Sequence, residues 1–555
     1  RVNIPEPGRR IMYGNISEIG DACGSPSGID IFVMACTSGL SNGSLLAIIS
    51  LAAKSAANDN DGGRLRYLIL FIISLLSFLM GKRYALRHGT IIIEGLIKKV
   101  RTRITNKIRK SELLFFENLE KSHIYTRINQ DTNYISQSAL LIINACQSTL
   151  ILIFCLFYIA WLSKVGFCIT VGAVVAAVIV YFMYRKEVNS LLLEITDKEA
   201  ESFDSLTHIV DGFKELKVNR GKSDHVFSHF KEISDSTEKI KVKAGLAFVT
   251  DFLFSQTFFY ILIATLVFLL PIFIDTYSEV VIKLVMAVLF IVGPVEMVVG
   301  IIPVFARANV AVGNLYKLEE QLDTAGGITP ETGEAPLPSM ESFREIRLDK
   351  VTFSYKDQEE RVLFHLGPID LSIKPGEIIF LVGGNGCGKS TLLKLLTGLY
   401  YPSSGVLDVD GDVLSKPIYP SYRELFSLIF ADFHLFDRLY GLGEVDSKKV
   451  NDLIKLMELD KKTQFLNGKF TETNLSTGQR KRLALITAFL EDKPVYVFDE
   501  VAADQDPQFR AYFYNELLMD LKKRGKTVIA ASHDDKYFHV ADRVLKMEYG
   551  RILLS

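Results

Sequence analysis

The chain has 555 residues, of which 49% are hydrophobic, and a formal net charge of −1. One hydrophobic core does not grow to this size, so two or more domains are expected. The balanced charge lacks the signature of a nucleic-acid-binding protein, and we predict no nucleic acid among its partners. The six cysteines form no CxxC pair and no His/Cys cluster, which excludes a zinc-ribbon type of site and indicates small buried side chains.

In chain order, residues 1–29 are polar with scattered Gly and Pro, and nothing in them has the order of a signal peptide. Apolar runs of about the length that crosses a membrane then follow. They cover residues 31–53, 67–80, 136–162, 165–183, 244–274 and 280–304. The long segments after the second and fourth runs are rich in Lys and Arg, which places them and both termini in the cytoplasm. A six-helix membrane domain over residues 30–322 is predicted.

Beyond the last apolar run the composition changes. Residues 323–342 are rich in Gly, Pro, Thr and Glu without a period, which is typical of a linker. Residues 343–555 alternate helix and strand patterns, with apolar β-rich runs at 377–382, 495–499 and 527–532. This alternation predicts an α/β domain with a largely parallel sheet, fused to the all-α membrane domain.

The stretch GGNGCGKS at residues 383–390 fits the P-loop pattern G-x-x-x-x-G-K-[ST] and lies between an apolar strand and a helix-like segment. Its glycines let backbone N–H groups close around phosphates at a helix N-terminus. Lys389 would reach the β- and γ-phosphates, and the Ser390 hydroxyl would ligate Mg²⁺. We predict that ATP is bound by Gly383, Asn385, Gly386, Cys387, Gly388, Lys389, Ser390 and Thr391.

An apolar strand at residues 495–498 runs into two carboxylates. Asp499, at the strand end, suits a role at Mg²⁺ together with Ser390. Glu500 suits polarising the water that attacks the γ-phosphate. Such a pair is often only a solvated turn, but the upstream P-loop favours the catalytic interpretation.

Three further motifs accompany the P-loop and the acidic pair. NLSTGQR at 474–480 resembles the LSGGQ signature of the ATP-binding-cassette (ABC) family, and SHD at 532–534 resembles its switch-histidine segment. VTFSY at 351–355 ends with Tyr355, which is in the place of that family's adenine-stacking aromatic residue. The resemblance implies a head-to-tail dimer of ATPase domains, with one copy capping the γ-phosphate held by the other. It implies the following roles: signature contacts by Ser476, Gly478 and Gln479, general base Glu500, γ-phosphate contact His533 and adenine contact Tyr355.

The family's glutamine between P-loop and signature is absent, since Ala431 occupies its place. Either the adjacent Asp432 joins the Mg²⁺ shell or solvent completes it.

The stretches DFHLFDRL, DEVAADQDPQFR and KRGKTVIAASHDDKYFHVADRVLKM resemble bacterial ABC exporters of cyclic peptides and peptide siderophores, such as pyoverdine, syringomycin and lasso-peptide exporters. This implies export of a small peptide or siderophore precursor. The alternative is a flippase or multidrug exporter that moves lipid or hydrophobic small molecules.

The membrane half also resembles ABC exporters. FFE at 115–117 with residues 125–131 resembles the stretch where a coupling helix rests on the ATPase domain, and residues 211–217 resemble the second coupling region. Glu296, in the sixth apolar run, is predicted either to face a translocation cavity or to pair with a neighbouring helix. Asn144 and Gln147 are predicted to join helices by hydrogen bonds.

The implied partners are a second copy of the chain, membrane lipids and a peptide-like or amphipathic cargo. The implied location is the bacterial inner membrane, crossed several times, with the ATPase domain in the cytoplasm.

Overall fold

The computed structural model describes residues 28–57, 61–118, 124–125, 127–273, 278–324, 340–357 and 359–553. The predictions for residues 1–27 and for most of the linker, 325–339, lie outside this part. The chain forms two compact units. The first combines Arg1–Thr102 with Tyr125–Lys317, and the second combines Arg103–Ile124 with Leu318–Ser555.

The first part of the chain is helical. Its helices are α1 (Gly28–Ala57), α2 (Asp61–Lys110), α3 (Leu113–Asn118), α4 (Thr132–Leu162), α5 (Lys164–Asp211), α6 (Phe213–Val218), α7 (Arg220–Ala264), α8 (Leu270–Phe273) and α9 (Ser278–Thr324). Within the described residues, four helices carry apolar spans long enough to cross a membrane: Val33–Ala52, Leu65–Lys110, Arg127–Leu162 and Val280–Thr324. Shorter apolar stretches, Lys164–Ala176 and Gln256–Ile272, mark the other two long helices. Five of the six predicted apolar runs therefore fall on single long helices, and the described part of the run 244–274 continues from α7 through a π-helical turn into α8.

Small residues let the membrane helices of the first unit approach closely. A Cβ added at Gly43 on α1 would lie 2.3 Å from the Phe154 ring of α4, so a larger residue there would force the ring to move. The same two helices are joined by the Tyr158 hydroxyl, which donates to Ser50 Oγ over 3.0 Å. Helix α9 continues through Pro294, and Glu296 on it is half-buried.

The second unit contains the strands β1 (Ile346–Lys356), β2 (Val362–Ile373), β3 (Ile378–Val382), β4 (Ser404–Val409), β5 (Asp412–Val413), β6 (Phe426–Ile429), β7 (Phe465–Leu466), β8 (Lys469–Phe470), β9 (Val495–Asp499), β10 (Thr527–Ala531), β11 (Arg543–Glu548) and β12 (Arg551–Leu553). Its later helices are α10 (Lys389–Leu396), α11 (Tyr419–Arg423), α12 (Ser447–Leu456), α13 (Thr477–Glu491), α14 (Pro507–Tyr512) and α15 (Leu518–Lys523).

The central sheet of this unit has the strand order β12-β11-β3-β10-β9-β6 and is parallel except for β12. Every residue of β9 and β10 is buried, because hydrophobic clusters cover both faces of the sheet. This explains why these strands are continuous apolar runs. The predicted parallel sheet is present. A second, antiparallel sheet of order β2-β1-β4-β5 was not predicted.

The parallel order gathers four strand ends at one edge of the sheet. The P-loop follows β3, the acidic pair closes β9, the SHD segment follows β10 and Asp432 follows β6. In parallel α/β sheets, ligands bind outside the carboxyl ends of the strands. The fold thus brings together motifs that are far apart in the sequence.

The second unit also includes a segment that lies between membrane helices in the chain. Leu113 and Leu114 of α3 pack against the hydrophobic cluster under the antiparallel sheet. At the end of α2, Arg103 and Lys107 form ion pairs of 2.7 and 2.8 Å with Glu319. The described residues 103–118 are therefore packed as part of the second unit.

Candidate functional site

The P-loop connects β3 to the N-terminus of α10. Gly388, the residue that precedes α10, has a left-handed φ of 105°. A Cβ there would lie 2.8 Å from Leu366 Cδ1 and 3.0 Å from Phe364 Cζ. Both the backbone angle and the packing require glycine, and the first amides of α10 are left to face an anion.

Lys389 is the first residue of α10 and its side chain is nearly buried. Its Nζ donates to the main-chain oxygens of Gly383 and Gly384 over 3.1 and 3.3 Å. The same Nζ lies 3.2 Å from His533 Nε2 and 3.7 Å from Glu500 Oε1. The ammonium group is thus held inside the P-loop, beside the two predicted catalytic residues.

Asp499 ends β9 with only 2% of its surface exposed. Burial is the main cause that raises the pKa of this carboxyl, and the nearby Glu500 and Asp432 raise it further. A hydrogen bond from Ser390 and the charge of Lys389 lower the pKa. Three carboxylates, those of Asp499, Glu500 and Asp432, therefore lie close together, and that of Asp499 is shielded from water.

This arrangement fits a hard cation. Asp499 Oδ1 is buried and has no hydrogen-bond partner among the described residues. It lies in the same carboxylate that accepts the Ser390 hydroxyl, and Mg²⁺ takes oxygen ligands of both kinds. Within the described residues, no group of three or more His, Cys, Asp or Glu side chains could hold a metal ion by itself. Ser390 and Asp499 would therefore share the ion with further ligands, from Asp432, phosphate or water.

Asp432 lies in an exposed turn three residues after β6. Strands β6 and β9 are parallel neighbours, with Ile429 opposite Phe498. This register places Asp432 near Asp499, close enough for its charge to raise the Asp499 pKa.

Glu500 and His533 face each other because β9 and β10 are adjacent and parallel, with Asp499 opposite Ala531. His533 Nε2 lies 3.1 Å from Glu500 Oε1. Glu500 has a left-handed φ of 52°, a conformation that costs an L-residue about 1–2 kcal/mol. Its main-chain N–H donates to the Ala531 oxygen over 3.2 Å, which ties the two strand ends together.

The residues on either side of His533 are held in place by hydrogen bonds and an ion pair. The buried Tyr514 hydroxyl lies 2.7 Å from Ser532 Oγ and 3.0 Å from Asp534 Oδ2. Arg510 also pairs with Asp534 at 3.2 Å. These contacts fix the turn that carries His533, and the His533 ring lies beside Glu500 and Lys389.

The signature segment forms the start of α13. Ser476 Oγ accepts the Gln479 N–H, and Gln479 Oε1 accepts the Ser476 N–H, which makes a capping box. A Cβ at Gly478 would lie 2.6 Å from the Asp504 main-chain oxygen, so the helix start touches the loop after Glu500. Gln505 Nε2 donates to the Gly478 oxygen over 2.9 Å and fixes that contact.

The structure does not join every predicted residue into one site. Among the described residues, no hydrogen bond or ion pair links Ser476, Gly478 or Gln479 to the P-loop. The exposed first turn of α13 carries amides that can face an anion. The signature and the P-loop of one chain thus form two separate halves.

Tyr355 lies beside the P-loop, near the end of β1. Its ring is 6.4 Å from that of Phe364, whose edge limits the space at Gly388. Its hydroxyl donates to the Tyr400 hydroxyl over 3.0 Å. The ring is half-buried, so part of it is available for a stacked ligand.

Sequence patterns missed one residue that contacts this site. Lys481, on the buried face of α13, donates to the main-chain oxygen of Glu500 over 2.8 Å and to Asp504 over 2.6 Å. The basic pair Lys481 and Arg482 at the start of an apolar helical stretch was the available signal, and the partners of Lys481 lie about twenty residues downstream.

Comparisons with known proteins follow the same division of the chain. A family profile described as ABC transporter matches residues 366–503, and one described as ABC transporter transmembrane region matches residues 31–300. The ATP-binding protein SyrD of Pseudomonas syringae pv. syringae is 35% identical over 469 residues, which cover 82% of each chain. The chain belongs to the ABC transporters. The predicted family is confirmed.

As an ABC transporter, the protein binds ATP and couples its hydrolysis to export through the membrane helices. A solved structure entitled "Structure of a bacterial Atm1-family ABC exporter with ATP bound" superimposes with a TM-score of 0.76 at 16% identity and covers 94% of this chain and 95% of that chain. This likeness confirms the predicted fold class. An ATP-dependent lipid A-core flippase of Alkalilimnicola ehrlichii is 31% identical over 49% of this chain and 46% of the relative.

Proposed function

We propose that two copies of the chain assemble head to tail, so that each ATP lies between the P-loop of one copy and the signature helix of the other. This proposal is supported by the separation of the two halves within the described part of one chain. It is also supported by Gly478, whose close approach to the Asp504 oxygen holds the first turn of α13 in place while Ser476 and Thr477 stay exposed. A single chain offers half of each composite site.

Within such a site, the P-loop amides and Lys389 would hold the phosphates. Entry of the γ-phosphate would draw the Lys389 ammonium away from Glu500, because phosphate carries more charge than one carboxylate. Glu500 would then be free to accept a proton from the attacking water, and His533 would turn its Nε2 toward the γ-phosphate. Mg²⁺ bound at Ser390 and Asp499, with Asp432 or water completing its shell, would supply the positive charge that offsets the phosphate oxygens.

The cargo we propose is a small peptide, cyclic or otherwise modified, or a siderophore precursor. The observation that carries this proposal is the 35% identity to SyrD over 82% of both chains, in both the membrane and the ATPase regions. The chain would lie in the bacterial inner membrane with its ATPase domain in the cytoplasm, as the basic segments between the apolar helices favour.

A second candidate is lipid flipping. Lipid A-core flippases of Alkalilimnicola ehrlichii and Vibrio vulnificus are similar to this chain, the latter at 24% identity over 87% of it. The ATPase motifs do not distinguish the two functions, because both cargoes are moved by the same nucleotide cycle.

The test uses the full chain in proteoliposomes with the ATPase domain outside. ATPase stimulation and ATP-dependent uptake would be measured for a cyclic lipopeptide, for lipid A and for a hydrophobic dye. Saturable stimulation and uptake of the peptide alone supports the proposal, and Glu500→Gln serves as the transport-dead control. Stimulation and flipping by lipid A without a response to peptide would overturn the peptide proposal in favour of the second candidate.

A further inference from the structure

Three side chains form a hydrogen-bonded row from the segment 103–124 to the predicted adenine contact. The Tyr400 hydroxyl donates to Glu117 Oε2 in a short hydrogen bond, and the Tyr355 hydroxyl donates to the Tyr400 hydroxyl over 3.0 Å. All three residues belong to the second unit. Glu117 lies on α3, which connects two membrane-crossing helices along the chain.

The direction of this row is fixed by chemistry. A carboxylate only accepts, so the Tyr400 proton points to Glu117 and the Tyr400 oxygen must accept from Tyr355. Burial raises the pKa of Tyr400 far above its usual range, and the Glu117 carboxylate adds to this, so the phenol stays a donor. The Glu117 carboxylate therefore determines the direction of donation in both hydrogen bonds of the row.

The row is rigid and its charge is balanced. Tyr400 is 1% exposed, and its ring stacks on Phe353 with centroids 4.9 Å apart. Lys394 neutralises Glu117 through a 2.8 Å contact and also reaches the Tyr400 hydroxyl at 3.3 Å. Because Lys394 is on α10, the helix that starts at the P-loop, the row is attached to the phosphate-binding element as well.

We propose that Glu117 is a positioning residue for the adenine-contact ring of Tyr355, acting through the Tyr400 hydroxyl. ATP affinity then depends on whether the segment 103–124 keeps this bond, and by reciprocity bound ATP favours the arrangement in which the bond is made. The inference rests on the proposed function in one respect, namely that Tyr355 stacks on adenine.

The experiment measures equilibrium binding of ATP and of inorganic tripolyphosphate, which has no base, to the full chain in nanodiscs. Glu117→Ala and Tyr400→Phe are each expected to weaken ATP binding about 3- to 10-fold, the worth of one buried hydrogen bond. Tripolyphosphate binding is expected to stay unchanged. Glu117→Gln keeps an acceptor oxygen and should restore most of the loss.

The double variant Glu117→Ala/Tyr355→Phe tests whether the residues act as one row. Tyr355→Phe keeps the stacking ring and removes only its hydroxyl, so the double variant should bind ATP no more weakly than the weaker single variant. Additive losses, or an equal loss of tripolyphosphate binding, would overturn the proposal. The matched control is Glu112→Ala, on the same segment, whose partner Lys416 at 3.6 Å is outside the row.

The Tyr355→Ala variant tests the adenine contact itself and so distinguishes a failure of this inference from a failure of the adenine assignment. Unchanged ATP affinity in Tyr355→Ala would show that the ring does not contact adenine, and the adenine assignment would fail together with the inference. Weak ATP binding in Tyr355→Ala, with normal binding in Glu117→Ala and Tyr400→Phe, would support the adenine contact of Tyr355. It would also show that Glu117 does not position that ring.

Discussion

Lys481 holds the main chain of Glu500: its Nζ donates to the Glu500 carbonyl oxygen over 2.8 Å. The same ammonium pairs with Asp504 at 2.6 Å, and only 3% of the lysine is exposed. Glu500 has a left-handed backbone, so its carboxylate direction depends on contacts of this kind. The signature helix therefore fixes the predicted general base within the same chain.

Lys481→Met is expected to lower kcat for ATP hydrolysis about 100-fold while ATP affinity changes little, because a misdirected base affects the chemical step and not the P-loop. Steady-state ATPase and equilibrium ATP binding on the same preparation check this. Lys481→Arg, which can still donate, should recover part of the rate. The matched control is Lys493→Met, which breaks a surface pair with Glu424 of equal length. A loss of ATP affinity equal to the loss of kcat would contradict the positioning role.

Glu500→Gln should bind ATP with near-normal affinity and accumulate closed ATPase dimers, with turnover reduced about 10²- to 10⁴-fold. The amide keeps the shape of the side chain but cannot accept the proton. Size-exclusion chromatography with ATP and a phosphate-release assay provide the readouts. Glu548→Gln, on an exposed ion pair with Lys546, is the control. Full turnover in Glu500→Gln would mean that another group, such as Asp432, takes the proton.

Asp499→Asn should stabilise the nucleotide-free ATPase domain and abolish hydrolysis. Burial raises the pKa of Asp499 above its unfolded value, so the folded state binds the proton more tightly. The cost of the ionised form is therefore absent at pH values below the unfolded pKa and grows as pH rises through the folded pKa. Replacing the carboxylate should raise the melting temperature at pH 8, by about 2–4 °C per kcal/mol, and the gain should shrink in acid.

Differential scanning fluorimetry at several pH values tests this stability prediction. Asp452→Asn, at an exposed position on α12, serves as the control and should show no pH-dependent gain. A lower melting temperature for Asp499→Asn at pH 8 would show that the ionised carboxylate is already compensated in the protein without nucleotide.

Glu296→Gln should raise the cargo concentration needed for half-maximal ATPase stimulation about tenfold and leave basal ATPase unchanged. A charge-assisted hydrogen bond inside a cavity is worth this much. Glu296 is half-buried on α9, and no hydrogen bond or ion pair joins it to the other described residues. Glu94→Gln, at an exposed position on α2, is the control. Unchanged stimulation would place Glu296 outside the cargo path.

Most of the site could be predicted from short local motifs. The P-loop, the acidic strand end and the SHD segment each follow a buried strand, which is visible in the sequence as an apolar run. The apolar runs of β3, β9 and β10 identified the parallel sheet, and a parallel sheet brings its strand ends to one edge. The signature serine was predicted from the resemblance of residues 474–480 to the LSGGQ motif, which is also a short local pattern.

The contacts that tune the site could not be predicted, because they depend on partners far apart in the sequence. Glu117 and Tyr400 are separated by 283 residues. The antiparallel sheet was missed because its strands β1, β2 and β4 carry exposed positions and register shifts, which weaken the alternation of polar and apolar residues.

Helix α2 is an unbroken rod of 50 residues, which ends three residues before the α3 segment that carries Glu117. At about 1.5 Å per residue it is about 75 Å long, whereas the bilayer interior spans about 30 Å. A tilt of about 5° at the membrane boundary would move the tip of a 45 Å arm by about 4 Å, more than a hydrogen bond's length of about 3 Å. If the proposed role of Glu117 is correct, a stiff helix of this length would convert a small rotation within the membrane into a displacement large enough to break the Glu117–Tyr400 hydrogen bond.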